Sequence, residues 1–172
     1  YTYTIVATLY VNDRNIQTNT MTDEDYLRLA LAQASLAEAL GEVPIGAILV
    51  AGGEIIASAH NRTVCDHDPT AHAEILGLRA GGIALGNHRM NGASLYVTLE
   101  PCIMCIGALI QARIDRLVFG AYDSRIGACG SAFDLARHRQ LNHHIREIKG
   151  GVLEAECREQ LQRFFRARRG KA

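Results

Sequence analysis

No stretch of this sequence stays apolar for the roughly 18 residues that a membrane-spanning helix needs, so no membrane association is expected. It also lacks net charge, because 18 basic residues balance 18 acidic ones. The molecule as a whole is therefore not an obvious binder of polyanions. Cysteines are few and odd in number: Cys65, Cys102, Cys105, Cys129 and Cys157. In a chain longer than a small secreted scaffold, an odd count argues against a disulfide framework. A reducing cytoplasm is the expected compartment. There a close cysteine pair more often binds metal or reacts than forms a bridge. Only one such pair occurs, Cys102 and Cys105, so a four-cysteine structural site lacks its second half.

What is present reads as an ordinary globular chain. Hydrophobic residues make up 48% and charged residues 21% of 172. That length suits one domain, which buries roughly 70% of its unfolded surface without staples. The charge is unevenly placed. RFFRARRGKA at 163–172 carries five basic residues and no acidic one. Such a tail is a solvated end or a nucleic-acid contact. At the other end the first methionine is Met21. Behind it Thr22 is placed to cap a helix whose first turn holds Asp23, Glu24 and Asp25. Residues 1–21 are expected to be a leader or upstream segment, and 22–172 a single domain. An extra strand is the alternative for TIVATLYV, which alternates weakly.

Strand and helix patterns alternate along the chain, which predicts an α/β fold. Leu27, Leu31, Ala34, Leu36 and Leu40 predict a first helix over 23–40. Gly52-Gly53 between two apolar runs predicts a hairpin. A second helix is expected from about Ala71, followed by a loop over GGIALGNHRMNGA. SLYVTLE reads as a buried strand and PCIMCIGALIQAR as a third helix opening at Pro101. IDRLVFGAY and HIREIKG read as further strands. The final helix carries one apolar stripe of Leu153, Cys157, Leu161, Phe164 and Phe165.

The chemistry centres on LEPCIMC. Thiols at i and i+3 at a helix start lie on one face, where exposed N–H groups favour thiolate. Alone, the pair could be half a metal site, a redox pair or core packing. HAE at 72–74 changes the balance. His72 opens one helix as the cysteines open another. One histidine and two cysteines give three ligands and leave a fourth position open, the mark of a catalytic zinc. Glu74, two residues on, suits proton transfer beside an activated water. The pattern matches H-x-E…P-C-x-x-C, the signature of zinc nucleobase deaminases.

Beyond that signature, GEVPIGAILV (41–50), HDPTAHAEI (67–75) and LYVTLEPCIMC (95–105) closely resemble bacterial tRNA adenosine deaminases. The resemblance runs from about residue 22 to 169 and includes RIDRLVFGAYD, GACGS, LNHHI and FFRARR. It implies the three-layer α/β/α fold of the cytidine-deaminase superfamily, with a central mixed five-stranded sheet, and a homodimer. It implies one zinc per subunit on His72, Cys102 and Cys105, with Glu74 moving protons. The reaction implied is hydrolytic deamination of adenosine to inosine at the wobble position, with a tRNA anticodon stem-loop as partner. Asn61 and Asp123 are implied substrate contacts. Arg166, Arg168 and Arg169 on the final helix are expected to meet phosphates, with Phe164 and Phe165 mainly in the core. A guanine or small-nucleoside deaminase with the same zinc core is the alternative. The other histidines, including His67, are not expected ligands.

Overall fold

A computed structural model describes residues 21–169. Expectations for residues 1–20 lie outside the described residues. The chain forms α1 (Asp23–Ala39), β1 (Gly46–Ala51), β2 (Glu54–His60), α2 (Ala73–Leu85), β3 (Ser94–Leu99), α3 (Ile103–Gln111), β4 (Arg116–Ala121), β5 (Glu147–Lys149) and α4 (Glu154–Arg169). The strands make one mixed sheet in the order β2-β1-β3-β4-β5. β1 pairs antiparallel with both β2 and β3, while β3, β4 and β5 are mutually parallel. The expected mixed five-stranded sheet is therefore present.

Strand alternation divides the core in two. Ala47, Leu49, Leu95, Val97, Leu117 and Phe119 face one way, against Ala73 and Leu78 of α2 and Ile106 and Leu109 of α3. Ile48, Val50, Tyr96 and Val118 face the other way, against Leu27 and Ala30 of α1 and Cys157 of α4. Successive side chains on a strand point to opposite faces, so helices cover both sides and make three layers. Among the described residues no helix is long and apolar enough to cross a membrane.

Several local expectations are corrected. Leu36 and Leu40 are each 51% exposed, and the buried face of α1 is Tyr26, Leu27, Ala30, Ala34 and Ala37. Small residues face the sheet because β1 runs close beneath: a Cβ on Gly46 would stand 2.0 Å from the Ala30 carbonyl oxygen. α2 continues through Gly81 and Gly82 to Leu85, where the sequence suggested a loop. Burial of Leu78 and Gly81 outweighs the helix penalty of about 1 kcal/mol per glycine. On α4 the buried stripe is Cys157, Gln160 and Phe164, while Phe165 is 46% exposed. Gln160 replaces an apolar contact by donating from its amide to Ser35 Oγ at 2.9 Å.

Thr22 does cap α1. Its hydroxyl accepts from Asp25 N while the Asp25 carboxylate accepts from Thr22 N, a complete capping box. Asp23, read as a simple first-turn acid, has a larger role. Arg116 at the start of β4 donates to both Asp23 oxygens at 2.7 and 3.0 Å, to both Glu147 oxygens at 2.9 and 2.8 Å, and to Tyr96 OH at 2.9 Å. Lys149 adds a bond to Asp23 at 2.7 Å. This network ties α1 to β3, β4 and β5. The Arg116 and Asp23 side chains are only 24% and 14% exposed. Arg116→Ala should therefore cost about 2–3 kcal/mol in urea denaturation at pH 7, rather than the fraction expected of an open surface pair. The Arg116 hydrogen bonds hold the Asp23 carboxyl well below the usual carboxylate range. A depressed carboxyl stabilises fully above its ordinary value near 3.9 and loses that contribution as pH falls through the folded value. The stability gap between wild type and Asp23→Asn should accordingly be full at pH 7 and shrink below about pH 4.

Candidate active site

β2 runs antiparallel to β1, and β1 antiparallel to β3, so β2, β3 and β4 all end at one edge of the sheet. The site lies at that edge. His72 is the N-cap of α2, which follows β2, and Cys102 is the N-cap of α3, which follows β3. Pro101 thus stands one residue outside the helix rather than in its first turn. Cys105 occupies the third helical position, one turn inward from Cys102. Two helix N-termini converge, and their partial positive charge favours thiolate and carboxylate.

The three side chains meet. The Sγ atoms of Cys102 and Cys105 are 3.7 Å apart. His72 Nδ1 is 3.8 Å from Cys102 Sγ and 3.4 Å from Cys105 Sγ. Tetrahedral zinc, with Zn–S about 2.3 Å and Zn–N about 2.0–2.1 Å, needs separations of about 3.8 Å between sulfurs and about 3.6 Å from sulfur to nitrogen. The residues fit such an ion. Cys105 is buried, while His72 and Cys102 are half-buried, so the cluster faces outward on one side. The hydrogen bond with Cys105 holds the Cys102 thiol down to about 4, while the same bond, with burial, pushes Cys105 far up. A bound dication would favour the thiolate form of both. His72 is raised, chiefly by its hydrogen bond with Cys102.

Glu74 sits at the second position of α2 and is 4% exposed. Burial pushes its carboxyl up, against the opposing pull of the His72 charge. Asn61 is buried at the end of β2, and its Oδ1 accepts from Ala73 N at 2.9 Å. It caps α2 in place of His72, whose side chain makes no capping bond. Asp123 lies on the loop after β4, where its Oδ1 accepts from Arg125 N at 2.9 Å and Ile126 N at 3.3 Å. His67 is exposed and outside the cluster.

The tail arginines are not equivalent. Arg168 lies 4.5 Å over the Phe164 ring and donates to the Gly41 carbonyl. Arg163 pairs with Glu38 at 3.0 Å. Arg166 and Arg169 are exposed. Gly41 belongs to the turn feeding β1, which starts at the edge where β3 ends. The end of α4 therefore reaches the same edge as the metal cluster, although its first turns lie behind the sheet.

Residues 20–121 match the family described as the cytidine and deoxycytidylate deaminase zinc-binding region. The chain is 49% identical over 148 residues to a tRNA-specific adenosine deaminase of Haemophilus influenzae, covering 86% of this chain and 85% of that protein. It is 48% identical over 149 residues to the Bacillus subtilis protein of the same name, covering 87% and 92%. The chain belongs to the tRNA-specific adenosine deaminase family. A solved structure from a study of A-to-I editing by tRNA:A34 deaminases matches with a TM-score of 0.75 and 45% identity, over 78% of this chain and 97% of that one. Guanine deaminase from Bacillus subtilis matches less fully, with a TM-score of 0.59 and 34% identity, over 64% and 71%.

Two buried carboxylates escape sequence reasoning. Glu42 accepts from Val64 N and Cys65 N, both at 2.8 Å, and from the Thr63 hydroxyl at 3.2 Å, holding the loop that leads to His72. Glu100 does the same for the loop after β4. The only signal for either is a lone acid at the edge of an apolar run, in GEVPIGAILV and in SLYVTLE.

Proposed function

We propose that this chain deaminates adenosine hydrolytically to inosine at the wobble position of tRNA, releasing ammonia. The observation that carries the reading is the convergence of His72, Cys102 and Cys105, at zinc-ligand separations, beside the buried Glu74. Residues 22–172 act as one deaminase domain, and a reducing cytoplasm keeps both thiols available. Zinc held by the three side chains, one per subunit, would supply Lewis acidity and an activated water. Glu74 takes a proton from the attacking water and gives it to the purine N1. The C6–O bond forms and the C6–N6 bond breaks, with Glu74 passing the proton of the new C6 hydroxyl to the departing amine, which leaves as ammonia. Burial suits it to this exchange, since desolvation raises the carboxylate's affinity for a proton.

The base has to leave its stack to reach such a site, at a cost of a few kcal/mol that an unpaired loop reduces. Asn61 follows β2 and Asp123 follows β4, at the sheet edge that also carries the cluster, and both are assigned to hold the extruded nucleotide. Exposed Arg166 and Arg169 are assigned to phosphates. Arg168 is engaged within the fold, so its part is to brace the tail. Arg166→Ala and Arg169→Ala should each lower the salt slope of stem-loop binding by about 0.7–0.9, the share of one neutralised phosphate. Arg168→Ala should instead lower stability by about 1 kcal/mol. Slopes unchanged in both Arg166→Ala and Arg169→Ala would remove the tail from the interface. A homodimer completes the reading. It is supported by family membership and by the exposed apolar residues Ile83 and Ile103 on α2 and α3.

Ammonia release from an anticodon stem-loop with a wobble adenosine, run beside guanine and free adenosine, tests the substrate. Release from the stem-loop is expected, and release from guanine alone would overturn the assignment.

A further inference from the structure

Glu100 is 2% exposed, and the deamination reading leaves it without a task. Its carboxylate is committed to loop N–H groups. Oε2 accepts from Asp123 N at 3.0 Å, and Oε1 accepts from Cys129 N at 2.9 Å and Ser131 N at 3.2 Å. A buried carboxylate with three backbone donors is a satisfied anchor, and an apolar residue could not replace it without orphaning those donors. The anchored loop also touches the metal turn directly. Ala128 N donates to the Pro101 carbonyl at 2.9 Å, and Gly127 bridges Cys102 in antiparallel fashion. Gly127 has no room for a side chain, since a Cβ there would stand 2.5 Å from both the Glu100 carboxylate and the Asp123 carbonyl oxygen.

We propose that Glu100 is a positioning residue that registers the 123–131 loop, and with it Asp123, against the turn carrying Cys102. One segment, Glu100-Pro101-Cys102, then holds a metal ligand at one end and the substrate loop at the other. The loop and the metal turn cannot shift independently. The proposal rests on the assignment of Asp123 as a nucleotide contact.

Glu100→Gln is the direct test, because it keeps the volume and offers one acceptor oxygen where two are used. Either the Asp123 amide or the Cys129 and Ser131 amides then lose their acceptor. Hydrogen exchange at the affected amides should rise at least about tenfold, with zinc content still one per chain. KM for the stem-loop, and its Kd, should rise about tenfold while kcat stays within about threefold. Gly127→Ala, which keeps the Glu100 side chain but crowds its carboxylate and the Asp123 carbonyl, should raise KM in the same way by displacing the loop. A residue that merely supports the fold would instead lower zinc content, melting temperature and kcat together, and that result overturns the proposal. So does unchanged exchange at all three amides, or faster exchange with unchanged stem-loop affinity. Exchange and affinity need no turnover, so they are read even if the wild type deaminates another base. Wild-type turnover of the stem-loop tests the deamination reading separately.

Discussion

Glu74→Ala should keep its zinc and lose at least about a thousandfold in kcat. The carboxylate is buried at the second position of α2, behind a metal ligand set to which it does not itself belong. Removing it takes away the group proposed to move protons between water, the purine ring and the departing amine. It leaves His72, Cys102 and Cys105 in place. Alanine also opens space in a buried region, so Glu74→Gln is the necessary companion. Glutamine keeps the volume and cannot carry the proton. Both variants should therefore fail alike in inosine formation while metal analysis still finds one zinc per chain. Activity within about tenfold of wild type in either variant would remove Glu74 from the mechanism.

The second large effect is at the cysteines. Cys102→Ala and Cys105→Ala should each weaken zinc binding by more than about a hundredfold. Three ligands already leave one position open, so losing a thiolate leaves a pair that cannot complete the site. Zinc content after dialysis should fall far below one per chain, and turnover with it. The thermal shift that a chelator produces in the wild type should disappear in both variants. Cys65→Ala is the control, because Cys65 is exposed and lies outside the cluster. Full zinc retention in Cys102→Ala would mean that the ligand set is wrong.

How much of this is legible in the sequence depends on how local the signal is. The cluster of His72, Cys102 and Cys105 is legible because both helices announce themselves at short range, and because one-turn spacing fixes the relation of Cys102 to Cys105. That His72 and Cys102 stand at the N-cap positions of their helices rather than inside them is a matter of one or two residues. The end of α2 is misread because its glycine pair looks like a break. Only packing against the sheet, a long-range effect, holds it helical. Leu36, Leu40 and Phe165 are misread for the complementary reason: period alone does not reveal which neighbours a helix face will meet. Arg168 looks like another free cation, yet it also lies over Phe164 and donates to the Gly41 carbonyl. Glu42 and Glu100 are hardest, since a carboxylate that anchors a distant loop has no sequence pattern beyond an acid next to an apolar run. Arg116 and Asp23, 93 positions apart, form a pair of the same kind.

The roles proposed for Glu74, Asn61 and Asp123 depend on water attacking a wobble adenosine at the proposed zinc site. Product analysis after incubating the zinc-loaded protein with the anticodon stem-loop in oxygen-18 water measures that step directly. Inosine should form at the wobble position, carrying one heavy oxygen at C6, with one ammonia released per inosine. Unlabelled product, or a stem-loop recovered unchanged by an active zinc-loaded enzyme, would refute the attack.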